Sequence, residues 1–259
     1  MNGRDLRPAL FLCAVLAIPA GHLSAAAPCV ARLAAESAEE QLRCLQKLRE
    51  SSSAGEATPL LCEFLAKSDG ATDDVVVAAV LDVFRAHPNA GVRAAETLSS
   101  LLPHRCKLYR ERDKIVVVRL RAYIVVTLSE IGVPSSALPA LFDTLGNVDG
   151  RMTSIEVAAA ARAVRSLGAQ GREFAPYLLA ALSARLSEEE VSLERYDPRF
   201  PPREATTAQL EAVRALHSIS SAGDADVVST LREIVRRDVF DRRVVQEARR
   251  TLEQIGARQ

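Results

Sequence analysis

Apolar side chains recur three and four positions apart along most of this chain, and no stretch alternates convincingly with period two, which predicts amphipathic helices and not strands. The helices also repeat. Segments can be aligned on a small residue with an apolar residue just before it, another four before it and Ala eight before it. Ala160, Val164, Leu167, Gly168 then superpose on Ala212, Leu216, Ile219, Ser220 and on Ala248, Leu252, Ile255, Gly256. Ile124, Leu128, Ile131, Gly132 obeys the rule with a larger first residue, and Ala79, Val83, Ala86, His87 obeys it without the glycine. The unit around Leu45 and Leu48 matches least. The last residues of these sets lie 45, 36, 52 and 36 apart, a period near 36 broken by insertions of about nine and sixteen residues, and a period of that length is the mark of a stacked repeat.

Start and stop signals place two helices in each unit. Ser37 with Glu40 has the spacing of a capping box, Thr58 precedes Pro59, and Asp73, Asp113 and Asp241 stand where a carboxylate meets the positive end of a helix. Gly132 and Gly168 suit left-handed caps, and Pro134 follows shortly after the first of them. The run from Ile115 to Val118 has strand propensity, but it lies inside a helical pattern ending at Gly132 and is expected to be helical. Helix pairs are predicted near 37–68, 73–102, 113–146, 152–186 and 206–237, with a closing helix over 241–256.

With these residues in view, the chain resembles the HEAT repeat family of armadillo-like helical proteins. Residues 118–132, residues 134–141 and the recurrences above carry the likeness, which is firm from about residue 113 and weaker before 73. The resemblance implies an all-α fold, a right-handed α-α superhelix of about five hairpins plus a closing helix. Its second helices would line a concave surface that holds a partner. It is specific for architecture and nearly silent about activity.

The amino terminus reads as an export signal. Arg4 and Arg7 precede a thirteen-residue apolar run over 8–20 and then a small-residue stretch over 21–27, the three regions of a secretory signal peptide, with the apolar run short for a membrane span. The expected division is a signal peptide over 1–26 and one helical-repeat domain over 27–259. Four cysteines remain after cleavage, Cys29, Cys44, Cys62 and Cys106, an even number in an exported chain, so two disulfides are expected. Three pairings are open, and Cys29 with Cys44 and Cys62 with Cys106 is the one favoured. Arginine outnumbers lysine 29 to 4, and together with the alanine content this suggests a GC-rich bacterial genome and hence a periplasmic or extracellular protein.

Composition narrows the partner. Lys+Arg 33 balances Asp+Glu 33, aromatic residues are 4% and there is no Trp, so neither a phosphate-binding charge excess nor a base-stacking platform is present, and no nucleic-acid role is expected. His87, His104 and His217 are not spaced as metal ligands along one helix, and no phosphate loop, dinucleotide turn, nucleophile elbow or zinc-protease motif occurs. No catalytic residue, metal or cofactor is therefore assigned, and His217, beside Leu216 and Ile219, reads as a structural histidine. The expected function is a non-catalytic exported scaffold that presents its concave surface to a protein partner in the cell envelope, with no membrane span in the mature chain. The alternative is an enzyme or pigment-attaching lyase on the same scaffold, resembling the bilin lyases.

Two insertions and one helix face hold the candidate contacts. The insertion near 187–205 is acidic in front and carries Tyr196, Arg199 and Phe200 behind, the residue types of interface anchors. The insertion near 103–113 has a basic excess and reads as a solvated connection or a contact for an acidic partner. On the second helices the candidates are Tyr177, Arg232 and Arg236, with Arg93, Glu96 and Asp143.

Overall fold

The computed structural model describes residues 33, 37–52, 54–146, 153–183, 208–221, 223–237 and 240–257. The described residues are helical, with no strand among them. The longer first helices of the hairpins are α1 (Ala38–Glu50), α3 (Asp74–Ala86), α6 (Lys114–Ile131), α8 (Ser154–Leu167), α10 (Ala208–Ile219) and the closing α12 (Arg242–Ala257). Their partners are α2 (Ala54–Lys67), the broken pair α4 (Pro88–Gly91) and α5 (Ala95–Ser100), α7 (Leu138–Gly146), α9 (Ala175–Ser183) and α11 (Ala225–Arg236). These boundaries fall within a few residues of the predicted hairpins.

Two helical layers follow from the packing. The first helices touch in chain order, α1 on α3, α3 on α6, α6 on α8, α8 on α10 and α10 on α12. In the other layer α2 meets α4 and α5, α7 meets α9, and α9 meets α11. The repeat explains why: Ala160, Ala212 and Ala248 are buried, and a small side chain at this position lets neighbouring first helices approach closely, while the larger Ile124 is buried at the same position of α6. The valines of 116–118, strand-prone in isolation, lie in α6, where the packing outweighs local preference.

Capping agrees with the sequence in most places. The Ser37 amide donates to Glu40 at 3.3 Å, completing the expected box, and Asp73 accepts from the Val75 amide at 2.8 Å. A second box, Thr153 with Glu156, was not anticipated. Gly132 (φ 116, ψ 133) and Gly168 (φ 54, ψ −135) take positive φ as expected, but their ψ values leave the left-handed helical well for a region open to glycine alone. The helix expected to start at Pro59 instead begins at Ala54, with Pro59 inside it. A proline this close to the amino-terminal end forfeits only one helical hydrogen bond, so burial of Ala54, Ala57 and Leu61 prevails.

The insertion near 103–113 is no solvated strap. Leu108 and Tyr109 are buried, and the Tyr109 hydroxyl donates to the Leu101 carbonyl at 2.7 Å. Arg112 donates to the Leu108 carbonyl at 2.7 Å and the Asp69 carbonyl at 3.1 Å, tying the segment to the turn between α2 and α3. That turn contains Gly70, where any Cβ would run into the Arg110 carbonyl carbon at 2.9 Å. The favoured pairing of Cys62 with Cys106 is not made: both are free thiols. Cys62 lies against Thr97 of α5, and burial raises its thiol pKa above the ordinary value while the Thr97 hydrogen bond works the other way. Cys44 is buried and is not one of the free thiols, and Cys29 lies outside the described residues.

Candidate functional site

The two layers differ in what their polar side chains do. Where α3, α6, α8 and α10 pack side by side, several charged groups bind one another across the helix contacts. Arg85 of α3 grips Glu130 of α6 with two hydrogen bonds, at 2.7 and 2.9 Å, and a third reaches the Tyr123 hydroxyl at 2.7 Å. Tyr123 in turn donates to Asp82. Burial lowers the Arg85 pKa, but Glu130 and Tyr123 more than reverse it, so the group stays charged; burial and the adjacent Asp82 keep the Tyr123 phenol protonated.

Between α6 and α8 the ion pair of Arg121 with Glu156 is closed to solvent, with both side chains at 5% exposure. Arg121 also donates to the Leu102 carbonyl at 3.0 Å and to His104 Nε2 at 2.6 Å. Burial, and then the Arg121 charge, lower the His104 pKa below the ordinary histidine value, with Glu156 and Asp143 opposing. Between α8 and α10, Glu211 is fully buried and contacts Arg214 at 2.9 Å, Arg165 at 3.3 Å and Arg162 at 3.4 Å. Tyr123 and Glu211 occupy the same register, each just before the repeat's packing residue. A polar residue recurring on an otherwise apolar face is the trace that this register leaves in the sequence.

The second helices instead turn side chains outward. Leu60 of α2 (41% exposed), Val92 beside α4 (58%) and Tyr177 of α9 (37%) are large apolar side chains open to solvent, and all three belong to this layer. Tyr177 is held in place: its ring meets Phe142 edge-on at 5.3 Å, and Phe142 stacks on Phe174 at 3.9 Å. That aromatic stack across α7 and α9 was missed because its members lie 32 residues apart in sequence. Arg232 and Arg236 lie on the exposed side of α11 and line a cleft of about 520 Å³ with Glu233 between them. Arg93 and Asp143 are exposed, while Glu96 accepts a hydrogen bond from Ser136 at 2.6 Å and so joins α5 to the segment leading into α7. Tyr177, Arg232 and Arg236 thus share one layer, and Tyr196, Arg199 and Phe200 lie outside the described residues. Among the described residues no three His, Cys, Asp or Glu side chains converge as ligands for a metal ion, and no single helix is long and apolar enough to cross a membrane.

No protein-family model matches the chain, and no curated protein matches it. Among solved structures it is similar to the crystal structure of an engineered protein from the Northeast Structural Genomics Consortium, with a TM-score of 0.51 and 18% sequence identity over 91% of this chain and 98% of that one. At that identity the likeness concerns the fold alone.

Proposed function

We propose that this chain is an exported, HEAT-like right-handed α-α superhelix that works as a non-catalytic scaffold, holding a protein partner of the cell envelope along its second-helix layer. The observation that carries the reading is the placement of Leu60, Val92 and Tyr177, the exposed large apolar side chains among the described residues, in that one layer. Exposed apolar groups set among charges are the usual material of an interface. Chain-order packing of both layers supports the superhelix, and Arg85, Arg121 and Glu211 of the first helices are committed to pairs between neighbouring helices. Arg232 and Arg236 make no ion pair with an acidic side chain among the described residues. Tyr196, Arg199 and Phe200 belong to the same proposal as further contacts.

Export rests on the basic, apolar and small-residue regions of the first 26 residues. A Cys29–Cys44 disulfide fits that compartment. Affinity capture of the mature chain from an envelope fraction, read by quantitative mass spectrometry, tests the reading. Tyr177→Ala combined with Arg232→Glu and Arg236→Glu is expected to abolish recovery of the partner while the melting temperature stays within a few degrees. Recovery unchanged by these substitutions would exclude the second-helix layer as the binding surface.

A further inference from the structure

After α5 the chain makes a turn over 103–106, closed by the Cys106 amide donating to the Pro103 carbonyl at 2.9 Å. Arg121 of α6 holds this turn at two points: Nε donates to the Leu102 carbonyl at its root, at 3.0 Å, and Nη1 contacts His104 Nε2 at 2.6 Å. A guanidinium has no acceptor, so His104 Nε2 must accept and the ring proton must sit on Nδ1. The contact therefore exists only while His104 is neutral. Arg121 is not free to follow the ring, because it is enclosed at 5% exposure and fastened to Glu156 of α8. Pro103, His104 and Arg105 are exposed, so the turn is the partner that can move.

Three charged groups act on His104 from the helices packed around it: Arg121 of α6, Glu156 of α8 and Asp143 of α7. On its own segment the charged neighbours are Arg105 and Lys107, both exposed cations. Glu156 is engaged by Arg121 and by the Thr153 amide and hydroxyl, at 3.4 and 3.2 Å. Asp143 is exposed and lies outside that enclosed pair. A proton on Nε2 would take away the acceptor that Arg121 uses and set two cations at hydrogen-bonding distance, while the attraction to Asp143 would grow. The balance already leans that way, since burial and then the Arg121 charge hold the His104 pKa below the ordinary histidine value against Glu156 and Asp143.

We propose that the 103–106 turn is a proton-operated switch: with His104 neutral it is fastened to Arg121 of α6, and with His104 protonated it leaves Arg121 and turns to Asp143 of α7. Arg121 keeps Glu156 and the Leu102 carbonyl in both positions, so α6 and α8 stay packed and the movement is local. The protonated ring neutralises Asp143, a carboxylate of the second-helix layer, and acid thereby changes the charge of that face. The released ring binds a proton more readily than the fastened one, so release gains up to about tenfold for each pH unit between the ordinary histidine pKa and the lowered one, and levels off below it. The switch stands independently of the partner-binding reading.

The test is an NMR titration of the whole mature chain labelled with ¹⁵N and ¹³C, from about pH 7.5 to pH 4.5, with His87 and His217 as internal references. Imidazole ¹⁵N shifts at neutral pH are expected to show His104 protonated on Nδ1. Its ring should titrate below the ordinary histidine value, and the His104, Arg105 and Cys106 amides should shift along the same curve while the amides of α8 do not. In acid the Arg121 Nη protons should lose their contact with the ring, and nuclear Overhauser contacts between the ring and Asp143 should appear. His104→Gln, which accepts without titrating in this range, is expected to abolish the acid shifts at residues 105 and 106. Asp143→Asn is expected to move the His104 titration to still lower pH. A neutral ring protonated on Nε2, a titration at or above the ordinary value, turn amides that ignore the ring curve, or acid shifts that persist in His104→Gln would each overturn the switch. A His104 titration unmoved by Asp143→Asn would overturn it too, by removing the protonated ring's destination.

Discussion

The Arg121–Glu156 pair gives the sharpest test of how the first-helix layer is held. Glu156→Gln removes one charge but keeps the shape and the capping box, because glutamine serves at that helix position as glutamate does. What it leaves behind is a guanidinium at 5% exposure. Stranding a buried charge typically costs about 3 to 5 kcal/mol. Arg121 retains the Leu102 carbonyl and His104, so the lower end applies, about 3 kcal/mol. For a chain of this size that corresponds to a fall in melting temperature of roughly 6 to 12 °C. Urea unfolding followed by helical circular dichroism reads the loss, with an unchanged slope showing that the denatured state is unaltered. Adding Arg121→Met removes the stranded charge, and the double variant is expected to regain most of the lost stability. A Glu156→Gln loss below about 1 kcal/mol, or a double variant at least as unstable as the sum of its parts, would refute the idea that this pair is a desolvated, mutually dependent contact.

Other consequences follow from single features. Gly70→Ala is expected to destabilise by about 2 kcal/mol or more, because a methyl group there meets the Arg110 backbone and not a movable side chain; thermal unfolding of that variant alone decides it. His104 has its pKa lowered in the folded state, so the unfolded chain takes up the proton first. Its contribution is full above the ordinary histidine pKa and is lost as pH falls through the lowered one. Thermal scans between about pH 7 and pH 5 should show a fall in stability that is shallower in His104→Gln, and parallel pH profiles for the two proteins would exclude this role. Cys62 and Cys106 are free thiols, so alkylation of the denatured, unreduced chain should label these two positions, and absence of label there would show that they pair in solution. Phe142→Ala should release Tyr177 from its edge contact, destabilising the α7–α9 contact by about 2 kcal/mol; a urea midpoint equal to that of the parent chain would contradict it.

Much of the fold could be read from periodicity because helix formation and burial both act on residues three and four apart. The spacing of Ala160, Ala212 and Ala248 fixed the register of the first helices, and the stop at Gly132 marked the end of α6. The candidate surface was legible only as far as helix faces are, which placed Tyr177, Arg232 and Arg236 on second helices. Cys62 and Cys106 escaped such reasoning, because an even cysteine count says nothing of where Thr97 and α5 will lie.

Sequence alone therefore determined that the described residues are helical, roughly where the hairpins fall, and which faces are apolar, since these depend on neighbours within a few turns. Tertiary structure alone decided that Glu211 meets three arginines, that Phe174 stacks on Phe142, and that Arg121 meets His104. Such contacts join groups that no period relates, and their energies depend on how much water the packing of separate helices has removed from around them.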